Sequence, residues 1–198
     1  MLLRKLIILT FITLLLSACA EISMEEEDKI IVDAFHIMDY IKGSKWEELS
    51  EHVHEDVGLL FSLYANVYEN DVVFSKEQVA HIEKDTEVYN FGHHFATDHT
   101  YEMTAKEFIQ EVLLRHEIGI NKGQEIEYSD TAFNTSQVKS AGIINNIHEV
   151  YPEAFYVEFY SPSTGEMVEE DWQALRFVFQ KERRHWYLVA IVRDVHSP

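Results

Sequence analysis

The chain contains very little cysteine, proline or glycine: one, three and seven residues respectively among 198. A single cysteine cannot form a disulfide within the chain, so packing alone must stabilise the fold. The scarcity of proline and glycine, together with the absence of repeats and low-complexity tracts, gives no sign of a linker between two domains. The length suits one globular domain with its own hydrophobic core.

Positive charge is also scarce. The chain has 16 lysine and arginine residues against 35 aspartate and glutamate residues, and its net charge is −19. An acidic surface repels nucleic-acid phosphates and anionic lipid headgroups alike. We therefore expect no nucleic-acid partner, and we expect the globular part to stand away from a membrane surface.

Long apolar runs are missing, apart from a short one at residues 6–16. Arg4 and Lys5 precede this run, and the small residues Ser17 and Ala18 follow it. This order of positive, apolar and small residues is typical of an export signal. The run is shorter than the roughly 20 apolar residues that a membrane-spanning helix needs. The sequence therefore predicts a signal peptide at residues 1–18.

The single cysteine follows this segment directly. Leu16-Ser17-Ala18-Cys19 resembles the lipobox of bacterial lipoproteins. The resemblance implies that the Cys19 sulfur receives a diacylglyceryl group and that the signal is cut just before it. Two or more acyl chains give stable anchoring, at roughly 0.8 kcal/mol per buried methylene. It also implies a short tether at residues 19–24, a globular domain at 25–198, and a position on the extracytoplasmic face of the cell membrane.

Capping-box spacing, in which Ser or Thr is followed three residues later by Glu or Gln, predicts four helix starts. The pairs are Ser23/Glu26, Ser44/Glu47, Ser75/Gln78 and Thr104/Glu107. Helical spacing of apolar residues follows each pair. The first helix is predicted from about residue 24 to Lys42, with an apolar face formed by Ile31, Ala34, Phe35, Met38 and Ile41. The later helices turn Trp46, Leu49 and Val53, then Val79 and Ile82, then Phe108, Ile109, Val112 and Leu113 toward the core.

The last third of the chain has the patterns of strands. Apolar-rich runs at 154–160, 171–180 and 185–196 are separated by short turn-forming stretches, which favours an antiparallel three-strand meander. The last run is apolar at both parities, as in a central strand covered on both faces. Residues 58–68 predict a further strand, whereas 118–150 show no clean period beyond a short helix near Ile143–Val150. The sequence thus predicts an α+β fold with helices packed on a curved, mainly antiparallel sheet.

This layout resembles the NTF2-like domain, the cone-shaped fold of SnoaL-type proteins. The resemblance is carried by the long first helix, the break at residues 42–56 and the paired terminal strands that end at 186–194. It implies a sheet that wraps around the first helix, and a cone that in some members hosts isomerase or hydrolase chemistry. The segment between Ser75 and Val150 is longer than a minimal member needs.

The densest polar cluster lies at residues 91–104. His93, His94, Asp98 and His99 offer side chains that bind first-row metals, zinc above all. Neighbouring side chains on an extended segment point to opposite faces, so His94 would pair with Asp98 and His93 with His99. No cysteine ligand or HExxH motif accompanies them. A zinc site is therefore one hypothesis, and a solvated histidine-rich loop is the other; we expect no other cofactor.

A second polar cluster, Arg193, Asp194 and His196, ends the last predicted strand. Asp194 and His196 share a parity, so a carboxylate could orient an imidazole for acid–base chemistry; the alternative is a hydrated strand end. His36, at the edge of the first helix's apolar face, either reaches the interior of a cone or is a hydrogen-bonded core residue. No phosphate-binding loop or nucleophile elbow is present, so no catalytic residue is assigned.

Aromatic residues are abundant and could line a pocket or simply fill the core. The candidates for a pocket lining are Tyr64, Tyr68, Tyr156, Tyr160 and Trp172. The leading hypothesis is a lipid-anchored domain that binds a small molecule or an envelope protein without catalysis. One alternative is an NTF2-like enzyme of isomerase or hydrolase type that uses a His/Asp cluster. Another is surface metal binding through the histidines at 93–99. The oligomeric state is left open.

Overall fold

The computed structural model describes residues 22–117, 120–138, 144–165 and 171–196. The predicted signal peptide and Cys19 lie outside the described residues, as does Ile143 at the start of a predicted helix. Lipidation of Cys19 therefore stays a prediction. Within the described ranges, none of the helices has the length and apolar character needed to cross a membrane.

The described residues form a mixed α+β fold. The helices are α1 (Met24–Lys42), α2 (Trp46–Ser50), α3 (Lys76–Ala80), α4 (Ala105–Glu107) and α5 (Ile147–Val150), with a 3₁₀ turn at Ile82–Lys84 and a π-helix at Phe108–Leu113 that continues α4. The strands are β1 (Leu59–Ser62), β2 (Val72–Phe74), β3 (Tyr89–His93), β4 (Thr100–Met103), β5 (Asp130–Phe133), β6 (Phe155–Ser161), β7 (Gln173–Glu182) and β8 (His185–Val195).

Six strands form one mainly antiparallel sheet in the order β2-β1-β8-β7-β6-β5, and β3 pairs with β4 separately. Strands β6, β7 and β8 form the predicted antiparallel meander. The parallel pair β1–β8 joins the early and late parts of the chain. The prediction of a central last strand is confirmed, because β8 lies between β1 and β7. Sequence patterns did not reveal β2, β5 or the β3–β4 hairpin. The strand predicted at 58–68 is β1, which ends at Ser62.

Both faces of the sheet are buried at its central strands. The inner face carries Val157, Phe159, Leu175, Phe177 and Ile191, which pack with the buried side of α1. The outer face carries a smaller apolar group that includes Tyr156, Val178, Ala190 and Val192, together with Ile147 of α5. A shift in register between Val178 and Phe179 leaves Val189 as an extra residue in β8. Residues beyond this bulge keep alternating faces up to the end of the strand.

The long helix α1 is turned slightly from its predicted orientation. Its buried residues are Ile30, Ala34, Ile37, Met38 and Ile41. Two predicted core residues are wrong: Ile31 is only partly buried and Phe35 is 47 % exposed. Phe35 lies at the edge of the interface, where its ring meets the Phe159 ring edge-on at 5.2 Å. Apolar residues on two adjoining stripes made either orientation compatible with a 3.6-residue period.

Local capping signals placed most helix starts correctly. Ser75 and Thr104 each form a complete capping box, with Gln78 and Glu107 respectively. Ser23 accepts a hydrogen bond from the Glu26 backbone at the start of α1. The capping box predicted at Ser44 is wrong, because α2 begins after Lys45, which makes no side-chain cap. Ser44 instead has a φ of 52° in the turn after α1.

Candidate functional site

A cavity of about 160 Å³ lies where β7 begins and β8 ends. The sheet contributes Gln173, Arg193 and Val195, and the residues beside these strand ends contribute Asp171, Trp172 and His196. Opposite them lie His94 and Phe95 of the β3–β4 loop, and Glu117. The register places Gln173 across from Val195 and Leu175 across from Arg193. The cavity is therefore a polar extension of the apolar inner face.

Arg193 is the charged centre of this cavity. It follows Ile191 on the inner face, where an apolar residue would be expected, and is only 2 % exposed. Its Nη2 donates to Glu117 Oε2. The Tyr101 hydroxyl also bonds to Glu117, and burial together with this carboxylate raises the pKa of Tyr101. A buried arginine needs such a partner, because removing a charge from water without compensation is strongly unfavourable.

Several polar atoms of the residues that line the cavity are buried and have no hydrogen-bond partner among the described residues. They are Arg193 Nε and Nη1, Trp172 Nε1, Gln173 Oε1 and His196 Nδ1. Arg193, Trp172 and Gln173 are each at least nine-tenths buried. The amide nitrogen of Gln173 lies 3.3 Å from His116 Nδ1, which fixes the orientation of its side chain. A buried polar group left unpaired costs about 1–3 kcal/mol, so a cluster of them is a structural feature that needs an explanation.

The carboxylates at the cavity are already engaged. Asp171 accepts hydrogen bonds from the hydroxyls of Ser163 and Thr164 and from the Thr164 backbone. Burial opposes ionisation of Asp171, but these hydrogen bonds outweigh it and lower the pKa of Asp171. Asp171 thus orders the chain just before Trp172, and Glu117 is held by Arg193 and Tyr101. Neither carboxylate is positioned as a free general base.

The histidine-rich segment divides between two sides of the β3–β4 hairpin. His94 lines the cavity and its ring stacks on Phe95 at 4.6 Å. His93 lines a separate cleft and lies 2.9 Å from the Thr100 hydroxyl through its Nδ1. Asp98 and His99 are exposed. In the part of the chain that the structure describes, no three His, Cys, Asp or Glu side chains are grouped as metal ligands would be. The zinc hypothesis stays a prediction without a matching geometry.

The predicted catalytic candidates are not brought together. Both interpretations of His36 are wrong, because it is exposed on α1, with its ring 6.4 Å from that of Tyr40. His196 lines the cavity, whereas Asp194 points to the outer face and binds Arg176 at 2.8 Å. The hypothesis that Asp194 orients His196 is therefore wrong, because it assumed that faces alternate through residue 196, whereas β8 ends at Val195. The alternative of a hydrated strand end is also wrong, because Arg193 and Asp194 are both buried.

Asp194 belongs to a buried ion cluster on the outer face. Arg176 lies between the carboxylates of Glu158 and Asp194, with a distance of 2.8 Å to each. Burial raises the pKa of Asp194 although Arg176 opposes the rise. Arg176 also donates to the Ser136 hydroxyl, and Glu158 accepts from the Gln137 backbone. This cluster thus fastens the segment after β5 to the sheet.

The five aromatic candidates do not line one pocket. Trp172 lines the cavity, whereas Tyr64 and Tyr68 line the separate cleft beside His93. Tyr64 braces the hairpin, because its hydroxyl donates to the His93 carbonyl and accepts from the Phe95 backbone. Tyr156 lies on the outer face, where the centre of its ring is 5.9 Å from the Arg176 guanidinium carbon. Tyr160 meets the Trp172 ring at 6.3 Å.

Sequence reasoning missed Glu117, Tyr101 and Gln173 as members of the site. Arg193 was noticed only as part of a strand-end cluster. A usable signal was present: Arg193 shares its parity with Ile191 and Val195, so a charge falls on an otherwise apolar stripe. Glu117 carried no such signal, because its partner lies 76 residues away in the chain.

Comparisons of the chain with protein-family models, with curated proteins and with solved structures found no match. The function must therefore be inferred from the chemistry of the cavity and from the sequence features of the amino-terminal segment.

Proposed function

We propose that the chain is a membrane-anchored extracytoplasmic lipoprotein whose α+β domain binds a small molecule, without catalysis, in the cavity between β7 and β8. The observation that carries this proposal is the set of buried, unpaired polar atoms on residues that line one cavity. A ligand with complementary groups would pair these atoms and recover the free energy lost by their burial. A small cavity with apolar walls and a few directed polar groups has the general composition of a ligand site.

Binding is favoured over catalysis by the state of the cavity's carboxylates. A general base needs a free carboxylate or imidazole within hydrogen-bond reach of a substrate proton. Asp171 and Glu117 are both occupied by neighbouring side chains. An NTF2-like enzyme remains the competing proposal, because His94 and His196 both line the cavity. Turnover of any bound compound that is lost in a His94→Gln/His196→Gln variant would support the enzyme.

The NTF2-like cone is part of the same proposal. Its support is the packing of the long α1 against the inner face of the sheet, with the cavity at one end of that face. A crystal structure in which the sheet curves around α1 and opens at the cavity would support the cone. A flat sheet would contradict it.

The lipid anchor is supported by the order of charged, apolar and small residues before Cys19. Its test is metabolic labelling of the full chain in a bacterial host with a clickable palmitate analogue. We expect label and membrane association in the wild type and loss of both in Cys19→Ala. Labelling that persists in Cys19→Ala, or its absence from the wild type, would contradict the anchor.

Ligand binding is tested by a thermal-shift screen of small organic molecules against the full chain. Trp172→Phe removes the Nε1 donor at the cavity but keeps an aromatic ring. Trp186→Phe is the matched control: its Nε1 is also buried without a partner among the described residues, but Trp186 packs on Phe155, away from the cavity. We expect ligands that stabilise the wild type and the control, and that stabilise Trp172→Phe less. Equal shifts in both variants, or no hit at all, would contradict the proposal.

An envelope protein is the other partner class. A protein captured by the membrane-bound chain whose association is unaffected by Trp172→Phe would favour that class over a small molecule.

A further inference from the structure

We infer that the ligand is a small monocarboxylate with a flat apolar body, anchored by Arg193 in competition with Glu117. This inference rests on the proposed ligand-binding function and adds the chemical class of the ligand.

The first argument is the balance of donors and acceptors. Arg193 Nε, Arg193 Nη1 and Trp172 Nε1 are N–H donors that lack an acceptor within the described part of the chain. Gln173 Oε1 is the acceptor in the set, and His196 Nδ1 takes either role according to its tautomer. Donors of fixed identity therefore outnumber acceptors. A carboxylate is an acceptor-only group, and its bonds to arginine are stronger than those of a neutral carbonyl.

The second argument is size and shape. The cavity holds about 160 Å³, close to the roughly 150 Å³ of an engineered apolar protein cavity that binds benzene. Trp172, Phe95 and Val195 supply apolar surface beside the polar atoms. A single ring or a short branched chain fits that volume. A nucleotide or a sugar phosphate is too large.

The third argument is charge. Glu117 already neutralises Arg193, so a doubly charged phosphate would place three negative charges around one guanidinium. A monocarboxylate adds only one charge, and it has the same functional group as the Glu117 side chain. The Glu117 side chain is 23 % exposed whereas the Arg193 side chain is 3 % exposed. Because Glu117 is nearer to solvent, its side chain is the partner that a ligand carboxylate can displace. Glu117 therefore competes with the ligand for Arg193.

The test uses three ring compounds of similar shape: benzoate, benzamide and toluene. Binding to the full chain is measured by calorimetry for the wild type, Arg193→Met and Glu117→Gln. We expect the wild type to bind benzoate at least tenfold more tightly than benzamide or toluene. Loss of a charge-assisted hydrogen bond has an effect of this size or larger. Arg193→Met should bind all three compounds alike.

Glu117→Gln is the decisive variant because the inference predicts that it binds benzoate more tightly than the wild type does. Gln keeps the shape of the side chain but removes the competing charge, so benzoate should bind about tenfold more tightly than to the wild type. Benzamide should bind both proteins equally. This variant also keeps the inference falsifiable if Arg193→Met does not fold.

The outcomes separate this inference from the function on which it rests. Equal binding of benzoate, benzamide and toluene would overturn the carboxylate class and leave a small-molecule site. Benzoate binding that weakens in Glu117→Gln would also overturn it. If none of the three compounds binds but the screen yields ligands that depend on Trp172, the class is wrong and the proposed function stands.

Discussion

Arg193 and Asp194 are adjacent in β8, but their side chains serve opposite faces of the sheet. Arg193 binds Glu117 at the inner cavity, whereas Asp194 binds Arg176 beneath the segment after β5. Alternation along the strand separates the two charges by the thickness of the sheet. Two adjacent charged residues at the end of one strand thus contribute to two different features, the cavity on one face and a buried ion cluster on the other.

The buried cluster should be sensitive to the loss of its cation. Arg176→Met leaves the carboxylates of Glu158 and Asp194 unpaired, and we expect it to lower the free energy of unfolding by about 3–5 kcal/mol at pH 7. The triple variant Glu158→Gln/Arg176→Met/Asp194→Asn removes all three charges. Its free energy of unfolding should fall by less than that of Arg176→Met. Urea denaturation measures both. A triple variant less stable than the single one would contradict this prediction.

The same cluster should give a characteristic dependence on pH. Burial raises the pKa of Asp194 above its ordinary value of 3.8, so the folded state binds this proton more tightly than the unfolded chain. The resulting stabilisation is present below about pH 3.8 and is lost as pH rises through the folded pKa. The destabilisation caused by Arg176→Met should therefore shrink when urea denaturation is repeated toward pH 4. A constant difference between the variant and the wild type would argue against it.

His52 should act in the opposite direction. Its ring is partly buried near Tyr40, and burial lowers the pKa of His52 from its ordinary value of 6.5. Its contribution to stability is therefore present above pH 6.5 and is lost as pH falls through the folded pKa. When the pH is lowered from 7.5 to 5, the free energy of unfolding of His52→Gln should fall by less than that of the wild type. His185→Gln, at an exposed position, is the control and should follow the wild type.

Gly58 should tolerate no side chain. It has a φ of 77°, and a Cβ added there would lie 2.5 Å from the Phe74 carbonyl oxygen. Gly123 has a similar φ of 80°, but nothing lies within 4 Å of an added Cβ. Gly123→Ala should lower the free energy of unfolding by about 1–2 kcal/mol, because alanine is strained in this left-handed backbone conformation. Gly58→Ala should lose clearly more, because the β1–β2 pair must also move. Equal losses in thermal unfolding would show that the close approach does not matter.

The capping boxes allow a direct comparison between a sequence pattern and its realisation. Thr104→Ala removes a complete capping box and should lower the free energy of unfolding by about 1 kcal/mol. Ser44 has the same spacing to Glu47 but forms no cap. Its hydroxyl accepts a hydrogen bond from the Gln110 side chain at 3.2 Å instead. Ser44→Ala should therefore lose less than Thr104→Ala in urea denaturation. The reverse order would contradict the assignment of caps.

Much of the fold could be predicted because its signals are local. The start of α1 follows from Ser23 and Glu26, and the meander follows from alternating apolar runs between turn residues. The orientation of α1 was wrong by a small rotation, since Phe35 and Ile31 are as apolar as the residues that are buried. Strand β5 was missed because it is short, none of its residues is fully buried, and it forms by pairing with β6, which lies more than twenty residues later.

The sequence alone determined the local rules: where helices begin, which strand residues share a face, and that no internal disulfide can form. It also supports the predicted export signal and lipid site at Cys19. The tertiary structure alone decided which charges meet, because the partners are distant in the chain. Glu117 reaches Arg193 across 76 residues, and Ser136 reaches Arg176 across 40. Capping and strand alternation act over a few residues, whereas a buried charge is compensated by whichever segment the fold returns to it.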